Sequence, residues 1–326
     1  MEILEVFLIN LFMLGENASN HNNQRIRDTT IIECEGFKFT FKQLNIHLKQ
    51  SDFINQSLIT TKITIENIRS DQVEQLLNII DDFCSLLSFA QQSPVLRYSH
   101  KIGSLEYSTN CSGIVVNPLR SIIENAGKEI RNFIEQAYPT FKKLKSTRQL
   151  IVVFGYLCEA NRSSLAQEIS LISHYVAIEN LKQTFALDNQ YEYTGQYFSH
   201  KQFPPLDIAP LDLENYWPPK GKIKKYIHKT YGKISSTEMT FRMFEAMHFK
   251  RDEIKLFLTK RHKIIHEGLL LPFADPNYAQ TALENFYDVS DLLRQYLLTL
   301  LKYKNQYYRS RDRLGPSVCL NLISNS

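Results

Sequence analysis

The chain lacks most of the features that would tie it to a disulfide framework, a zinc centre or a membrane. The cysteines are Cys34, Cys84, Cys111, Cys158 and Cys319. They are scattered, odd in number and form no CxxC pair, which argues against disulfides or a four-cysteine zinc site and favours reduced thiols. The apolar start, MEILEVFLINLFML, is too short to span a bilayer and has Glu2 and Glu5 where a signal peptide carries basic residues. We expect a soluble, cytoplasmic protein in which this stretch is a buried strand.

Strong charge bias is also missing. The chain has 326 residues, 43% of them hydrophobic and 22% charged, with a net charge of +4. This composition supports a sizeable core and one large or two ordinary domains, and it does not suggest global disorder. A mild positive charge permits a polyanionic partner without requiring one.

The N-terminal third has the patterns of a mixed α+β domain. Phe37, Phe39 and Phe41 alternate with polar residues, which predicts a strand with three rings on one face, and KITIENI repeats the alternation. Apolar residues then recur at helical spacing from Val73 to Leu87, after an expected cap at Asp71 and Glu74. VLRYSHKI and SGIVV indicate further strands. We therefore assign residues 1–117 to a sensor-like α+β domain.

From Pro118 onward the patterns are helical. SIIENAGKEIRNFIEQAY predicts a helix that ends before Pro139, RQLIVVFGYLCEA a helix buried on several sides, and SSLAQEISLISHYVAIENLKQTF one or two more. Residues 188–234 form a long insertion rich in proline and lysine. Helices resume at Ser235, at Asp252 and after Pro276. The expected fold is thus α+β and mainly helical, with a helical domain at 118–308 and a basic, polar tail at 309–326.

The stretch DEIKLFLTKRHKIIHEG is the most informative part of the sequence about a possible functional site. At 100° per residue, Ile254, Phe257, Leu258 and Ile265 form an apolar stripe, and Arg261 falls in its middle. A charge there must find a partner, because an unpaired buried charge is costly. His262 and His266 lie one turn apart at the edge of the stripe, and Gly268 ends the helix just after them.

This stretch resembles the signature of the HEPN superfamily, an arginine followed after four to six residues by a histidine near a helix C-terminus. Arg261 matches the arginine and His266 the histidine, while His262 stands where the family more often has asparagine. The layout also resembles the Apea-like HEPN proteins, which join an α+β part to such a helical bundle. The resemblance covers residues 120–305 best.

The resemblance implies a metal-independent endoribonuclease without a cofactor, in which a ribose 2′-hydroxyl attacks the adjacent phosphate. Histidine suits the proton transfers and arginine the phosphate charge. It also implies RNA and a second copy of the chain as partners, an antitoxin or regulatory protein, and a role as a toxin or in phage defence. A non-catalytic HEPN module that binds nucleotide or RNA is the alternative, and a helical scaffold is a third.

Two other interpretations of the motif stay open. Arg261 could simply pair with a buried acid such as Glu238 or Asp288 while His266 caps carbonyl groups. Alternatively, His262 and His266 have a spacing that can chelate zinc, with His228 or His248 as further ligands, although HKIIH lacks the glutamate of HExxH.

A lysine-rich segment precedes the motif. PKGKIKKYIHKTYGK contains many cations and no acid, and it is not a P-loop because its glycines and Ser/Thr are misplaced. Lysines neutralise phosphates and tyrosines stack on bases, although a solvated charge run is the commoner meaning. The residues expected to bind RNA are Lys222, Lys224, Lys225, Lys229 and Tyr226.

Overall fold

The protein is an α+β structure, as its sequence predicts. The computed structural model describes residues 2–21, 24–44, 58–108, 121–162, 165–195, 197–201, 233–255, 257–258, 261, 276–310 and 318–319. The described residues form an antiparallel seven-stranded sheet followed by a largely helical region.

The sheet has the strand order β2-β3-β4-β5-β1-β6-β7, so that the first strand lies inside it. Its strands are β1 (Glu2–Ile9), β2 (Asn17–His21), β3 (Gln24–Cys34), β4 (Phe37–Gln43), β5 (Ile59–Ile68), β6 (Leu96–Ile102) and β7 (Leu105–Ser108). Short pairs follow later in the chain: β8 (Tyr191–Tyr193) with β9 (Phe198–His200), and β10 (Gln306–Tyr307) with β11 (Val318–Cys319).

Alternation of apolar and polar residues decides which face of the sheet is buried. Leu4, Val6 and Leu8 are fully buried on β1, as are Phe39 and Phe41 on β4. This confirms the buried first strand and the aromatic face that the sequence predicts. The predicted strand SGIVV lies outside the described residues.

Six helices stand out among the described residues. They are α1 (Val73–Gln91), α2 (Gly127–Leu144), α3 (Leu150–Ala160), α4 (Gln167–Asp188), α5 (Ser236–Glu245) and α6 (Tyr278–Leu300), and residues 251–255 continue the helical path after α5. α1 packs against α2, α3 and β6, while α4 packs against α3, α5 and α6. The α4 helix therefore lies at the centre of the helical region.

The prediction that α2 ends before Pro139 is wrong, because the helix continues through the proline to Leu144. A proline inside a helix removes one backbone hydrogen bond. Here Pro139 is on the exposed side, together with Glu135 four residues earlier, so that water can satisfy the freed carbonyl. Phe133, Ala137 and Phe141 are buried on both sides of the proline and hold the helix together.

Two further expectations need correction. α1 follows a 3-10 turn, Ser70–Gln72, in which the backbone N–H of Arg69 donates to Gln72 Oε1, and the N-cap of α1 is Gln72 and not Asp71. α3 is not buried on several sides, because Ile151 and Val152 are 53% and 48% exposed. α3 packs against α1 and α4 through one face, and its outer face is left to solvent.

The hydrophobic core runs without interruption from the sheet into the helices. α2 packs on β3 and α1, and Phe83 of α1 contacts both Phe39 of the sheet and Tyr138 of α2. After α6 the chain returns to this junction, where the backbone N–H of Tyr308 donates to the carbonyl of Ile122. The boundary at residue 117 stays a prediction.

Candidate functional site

The candidate site lies where α4 meets α5 and the helical residues that follow it. Tyr175, Glu179 and Lys182 are four and three residues apart on α4, a spacing that places them on one helix face. Ser236 lies at the start of α5, where the Ser235 hydroxyl accepts a hydrogen bond from the backbone N–H of Glu238. This confirms the predicted helix start at Ser235.

A single carboxylate joins two cations at this site. Glu179 Oε1 lies 2.7 Å from Arg261 Nη2, and Glu179 Oε2 accepts a hydrogen bond from Lys182 Nζ. Lys182 Nζ also donates to Ser236 Oγ at 2.5 Å. The two cations and one carboxylate leave a formal local charge of +1, which favours an anion.

Lys182 is an unusual residue to bury, since only 1% of its side chain is exposed. Burial lowers its pKa below the ordinary value for lysine; the nearby Arg261 charge also lowers it, while the Glu179 carboxylate raises it. The Glu179 pair and the Ser236 hydroxyl thus make the burial of this ammonium group tolerable.

Arg261 is held in place by its ion pair with Glu179 and is not fully buried. Its side chain is 27% exposed, yet its Nε is buried and has no hydrogen-bond partner among the described residues. The hydroxyl of Tyr175 is in the same condition, and the Arg261 charge acts on it electrostatically. Burial raises the pKa of this Tyr175 hydroxyl, so it stays protonated and able to donate. The site therefore contains two buried polar groups whose hydrogen-bonding capacity the described residues do not use.

The apolar stripe around Arg261 is confirmed where the structure describes it. Ile254 and Phe257 are buried, Leu258 is half-buried, and the Phe257 ring lies 5.2 Å from the Tyr175 ring. Arg261 is helical and faces α4, as its place in the stripe requires. Its acid partner is Glu179, whereas Glu238 pairs with Arg251 and lies 3.8 Å from Arg242. The open interpretation that Arg261 pairs with an acid is therefore met by Glu179, which was not among the examples named for it.

Most of the other predicted site residues fall outside the described part of the chain. These are His262 and His266 of the motif, and Lys222, Lys224, Lys225, Lys229 and Tyr226 of the lysine-rich segment. Their placement stays a prediction.

Two of the histidines that the structure describes, His174 and His248, lie on or near the helices of the site. His248 is exposed after α5, and His174 is buried on α4, where its Nδ1–H donates to the Ser170 carbonyl at 2.8 Å. Within the described ranges, no three His, Cys, Asp or Glu side chains are grouped as metal ligands. The zinc interpretation, with its His262, His266 and His228, lies mostly beyond these ranges.

Sequence reasoning missed Glu179, Lys182 and Tyr175. Their signal was present, since a tyrosine, an acid and a lysine share one face of α4 at positions i, i+4 and i+7. The same stretch has apolar residues all round, so that no polar stripe stood out before Arg261 could be placed opposite it.

None of the helices within the described ranges has the length and apolar character needed to cross a bilayer.

Comparisons with known proteins add no relative to this picture. No protein-family model, no curated protein and no solved structure matches the chain.

Proposed function

We propose that the protein is a metal-independent endoribonuclease of the HEPN type, with the C-terminal helices as its catalytic bundle. In this proposal Arg261 binds the scissile phosphate, His266 transfers protons, and His262 assists as a hydrogen-bond donor. The 2′-hydroxyl of the RNA attacks the adjacent phosphate and leaves a 2′,3′-cyclic phosphate. Arginine suits this role because its planar fork can hold two phosphate oxygens and stays charged.

The observation that carries the proposal is the state of Arg261. Glu179 fixes one nitrogen of the guanidinium at 2.7 Å, while Nε stays buried without a partner among the described residues. A purely structural ion pair would be better served by a two-pronged contact that uses Nε as well. An arginine that is oriented by one carboxylate oxygen, and retains a free donor, is prepared for a second oxygen ligand.

The surrounding charge supports an anionic substrate. Lys182 shares the Glu179 carboxylate with Arg261, so that neither cation is fully neutralised. A phosphate that approached Arg261 would be attracted by both cations and could accept from the buried Tyr175 hydroxyl. The resemblance adds a second copy of the chain across the cleft, a regulatory partner such as an antitoxin, and a toxin or phage-defence role to the proposal.

The Glu179 contact also favours a second candidate, a non-catalytic module that binds nucleotide or RNA. An acid on the guanidinium weakens its pull on a developing phosphate charge, whereas binding alone tolerates this. The two candidates differ in whether the RNA is cut, and not in where it binds.

Incubation of the full chain with single-stranded RNA in excess EDTA separates the two candidates. We expect cleavage with 2′,3′-cyclic phosphate ends, and loss of nearly all turnover in His266→Ala, because acid–base help contributes about 10²–10⁴ in rate. Arg261→Lys should fail as well, because an ammonium group cannot hold two phosphate oxygens. The matched controls are His248→Asn, which suits the left-handed backbone at that exposed histidine, and Arg251→Lys on the same helical path.

Cleavage that survives in both controls and fails in both site variants supports the ribonuclease. RNA binding that depends on Arg261 without any cleavage supports the binding module. Neither cleavage nor Arg261-dependent binding removes both candidates.

The lysine-rich segment is proposed to guide RNA to the site. Replacing Lys222, Lys224 and Lys225 with glutamine should weaken RNA binding and reduce its salt dependence by roughly one unit of slope for each lost phosphate contact. The control replaces three exposed lysines elsewhere, namely Lys38, Lys128 and Lys143. Equal slopes for the two triple variants would mean that the segment is only a solvated surface.

A further inference from the structure

A cleft lies between α1, α3 and β6, away from the residues of the candidate site. Its volume is about 510 Å³, within the range of roughly 300–1,000 Å³ typical of small-molecule sites. Gly155 lines the cleft, and a Cβ built on this residue would meet nothing within 4 Å, so the space beside it is open. Its helical neighbours Phe154 and Cys158 also line the cleft.

The floor of the cleft is apolar. Phe154 is buried and stacked against Phe89 at 4.7 Å, and Cys84 and Cys158 are buried beside it. Burial raises the pKa of the Cys158 thiol to about 12, so it stays neutral. The Ser88 hydroxyl is already committed, because it donates to the Cys84 carbonyl and accepts from the Val95 N–H. This floor suits a hydrocarbon better than a polar group.

Two ion pairs border the cleft, and they are not equivalent. Arg97 contacts Asp81 with two nitrogens, at 2.8 and 2.9 Å, and this pair is saturated. Arg162 gives Glu159 only Nη1, at 2.7 Å, while its Nε is buried and has no hydrogen-bond partner among the described residues. A partly exposed cation that its acid partner contacts at a single nitrogen therefore lies at the edge of an apolar floor.

We propose that this cleft binds a small amphipathic carboxylate, with its aliphatic chain over Phe154 and Gly155 and its carboxylate on Arg162. The carboxylate binds the exposed part of the Arg162 guanidinium, which contacts Glu159 through Nη1 alone. The cleft contains neither Arg261 nor His266, so this proposal does not depend on the proposed ribonuclease activity.

Calorimetric titration of the full chain with octanoate, 1-octanol and octylamine tests the head group. Octanoate should bind with one-to-one stoichiometry and more tightly than either of the others, because only a carboxylate gains a charge-assisted bond with Arg162. Arg162→Gln should weaken octanoate about tenfold and leave octanol unchanged, since a hydrogen bond to a charged group changes affinity by at least that factor. Octylamine binding as tightly as octanoate would overturn the assignment of the head group.

Filling the cleft tests its location. Gly155→Leu places a side chain in the open space and should abolish binding of both octanoate and octanol, while Gly155→Ala, the matched control, should retain it. Thermal unfolding of each variant establishes that it is folded, and Arg162→Gln provides the test should the leucine variant not fold. Unchanged octanoate binding in Gly155→Leu, or none in the wild type, would overturn the proposal.

Discussion

The sheet region and the helical region treat their buried polar groups differently. In the sheet region, Thr60 and Thr61 on β5 and Gln43 on β4 are fully or nearly fully buried, and each has hydrogen bonds to the turn at Leu11. In the helical region, buried groups remain without partners among the described residues, including Arg148 Nη1, Tyr175 Oη, Tyr296 Oη and Arg261 Nε. Leaving such groups unsatisfied costs about 1–3 kcal/mol each.

This difference suggests that the two regions have different roles. A sheet region in which Asn10 Oδ1 is the one buried side-chain polar atom without a partner among the described residues contributes stability, while a helical core with more open hydrogen-bonding capacity is the place where ligands or ordered water can bind. The lesson is that the candidate chemistry sits in the region with the less complete internal bonding.

The largest expected effect tests whether the two regions are separate at all. Phe83→Ala should destabilise the protein by about 3–5 kcal/mol, because a buried phenylalanine leaves a cavity. The Phe83 ring lies 5.1 Å from Phe39 and 5.3 Å from Tyr138, and so belongs to both regions. Denaturant unfolding should show one transition that shifts as a whole. The half-exposed Phe7 on the open face of the sheet is the control, and Phe7→Ala should cost far less.

Two transitions, with only one shifted, would instead show that the regions unfold independently. Limited proteolysis provides the complementary measurement. Preferred cleavage near Asn117 would support the predicted division of the chain there.

The same contrast explains what could be predicted from the sequence. Periodicity alone predicts β4 and α1, because each buries one regular face against a neighbour, while the apolar run at the start of the chain predicts β1. Periodicity fails at Pro139, where burial of Phe133 and Phe141 outweighs the local rule against proline, and at α3, whose outer apolar residues meet no covering element.

Only part of the candidate site could be predicted from the sequence, for a related reason. Arg261 stands out because a charge interrupts an apolar stripe. Glu179 does not, because its partner is 82 positions away along the chain and only the packing of α4 brings them together. Pairings of this kind depend on tertiary structure and not on local pattern.

A smaller effect is expected at Lys182, where the helical region buries a charge. Lys182→Met should cost about 1–2 kcal/mol, less than a fully buried pair would, because Glu179 is partly exposed and retains Arg261. The exposed Lys250, replaced in the same way, should cost almost nothing. Equal costs for the two substitutions would mean that the Glu179 pair contributes nothing.

The pH dependence of stability in the same variant provides a second test of the buried charge. The folded-state pKa of Lys182 lies below its unfolded value, so between these two values the unfolded state binds more protons. Wild-type stability should therefore gain from this residue as pH rises on the alkaline side, up to the unfolded pKa near 10.5. Lys182→Met should lack this gain in denaturant titrations at several pH values.

Gly155→Ala should change stability in the opposite direction. Glycine inside a helix costs roughly 0.5–1 kcal/mol relative to alanine, and the added methyl group meets open space. We expect a stabilisation of about that size, measured by denaturant unfolding. A destabilised variant would show that the cleft beside α3 is narrower than its geometry indicates.

The smallest expected effect belongs to the sheet region and provides the counterpart of Lys182. His100 on β6 stacks on Tyr107 at 4.9 Å, and burial, followed by the charge of Arg97, lowers its pKa below the ordinary 6.5, while Asp81 opposes this. As pH falls below 6.5 the unfolded state takes up a proton that the folded state resists, so stability should decline until the folded-state pKa is passed. His100→Phe keeps a ring on Tyr107 but cannot titrate, and it should remove this acid-side decline without changing the alkaline gain from Lys182. If the decline persists unchanged in His100→Phe, the acid sensitivity of the sheet region has another source, and the two regions cannot be told apart by their pH dependence.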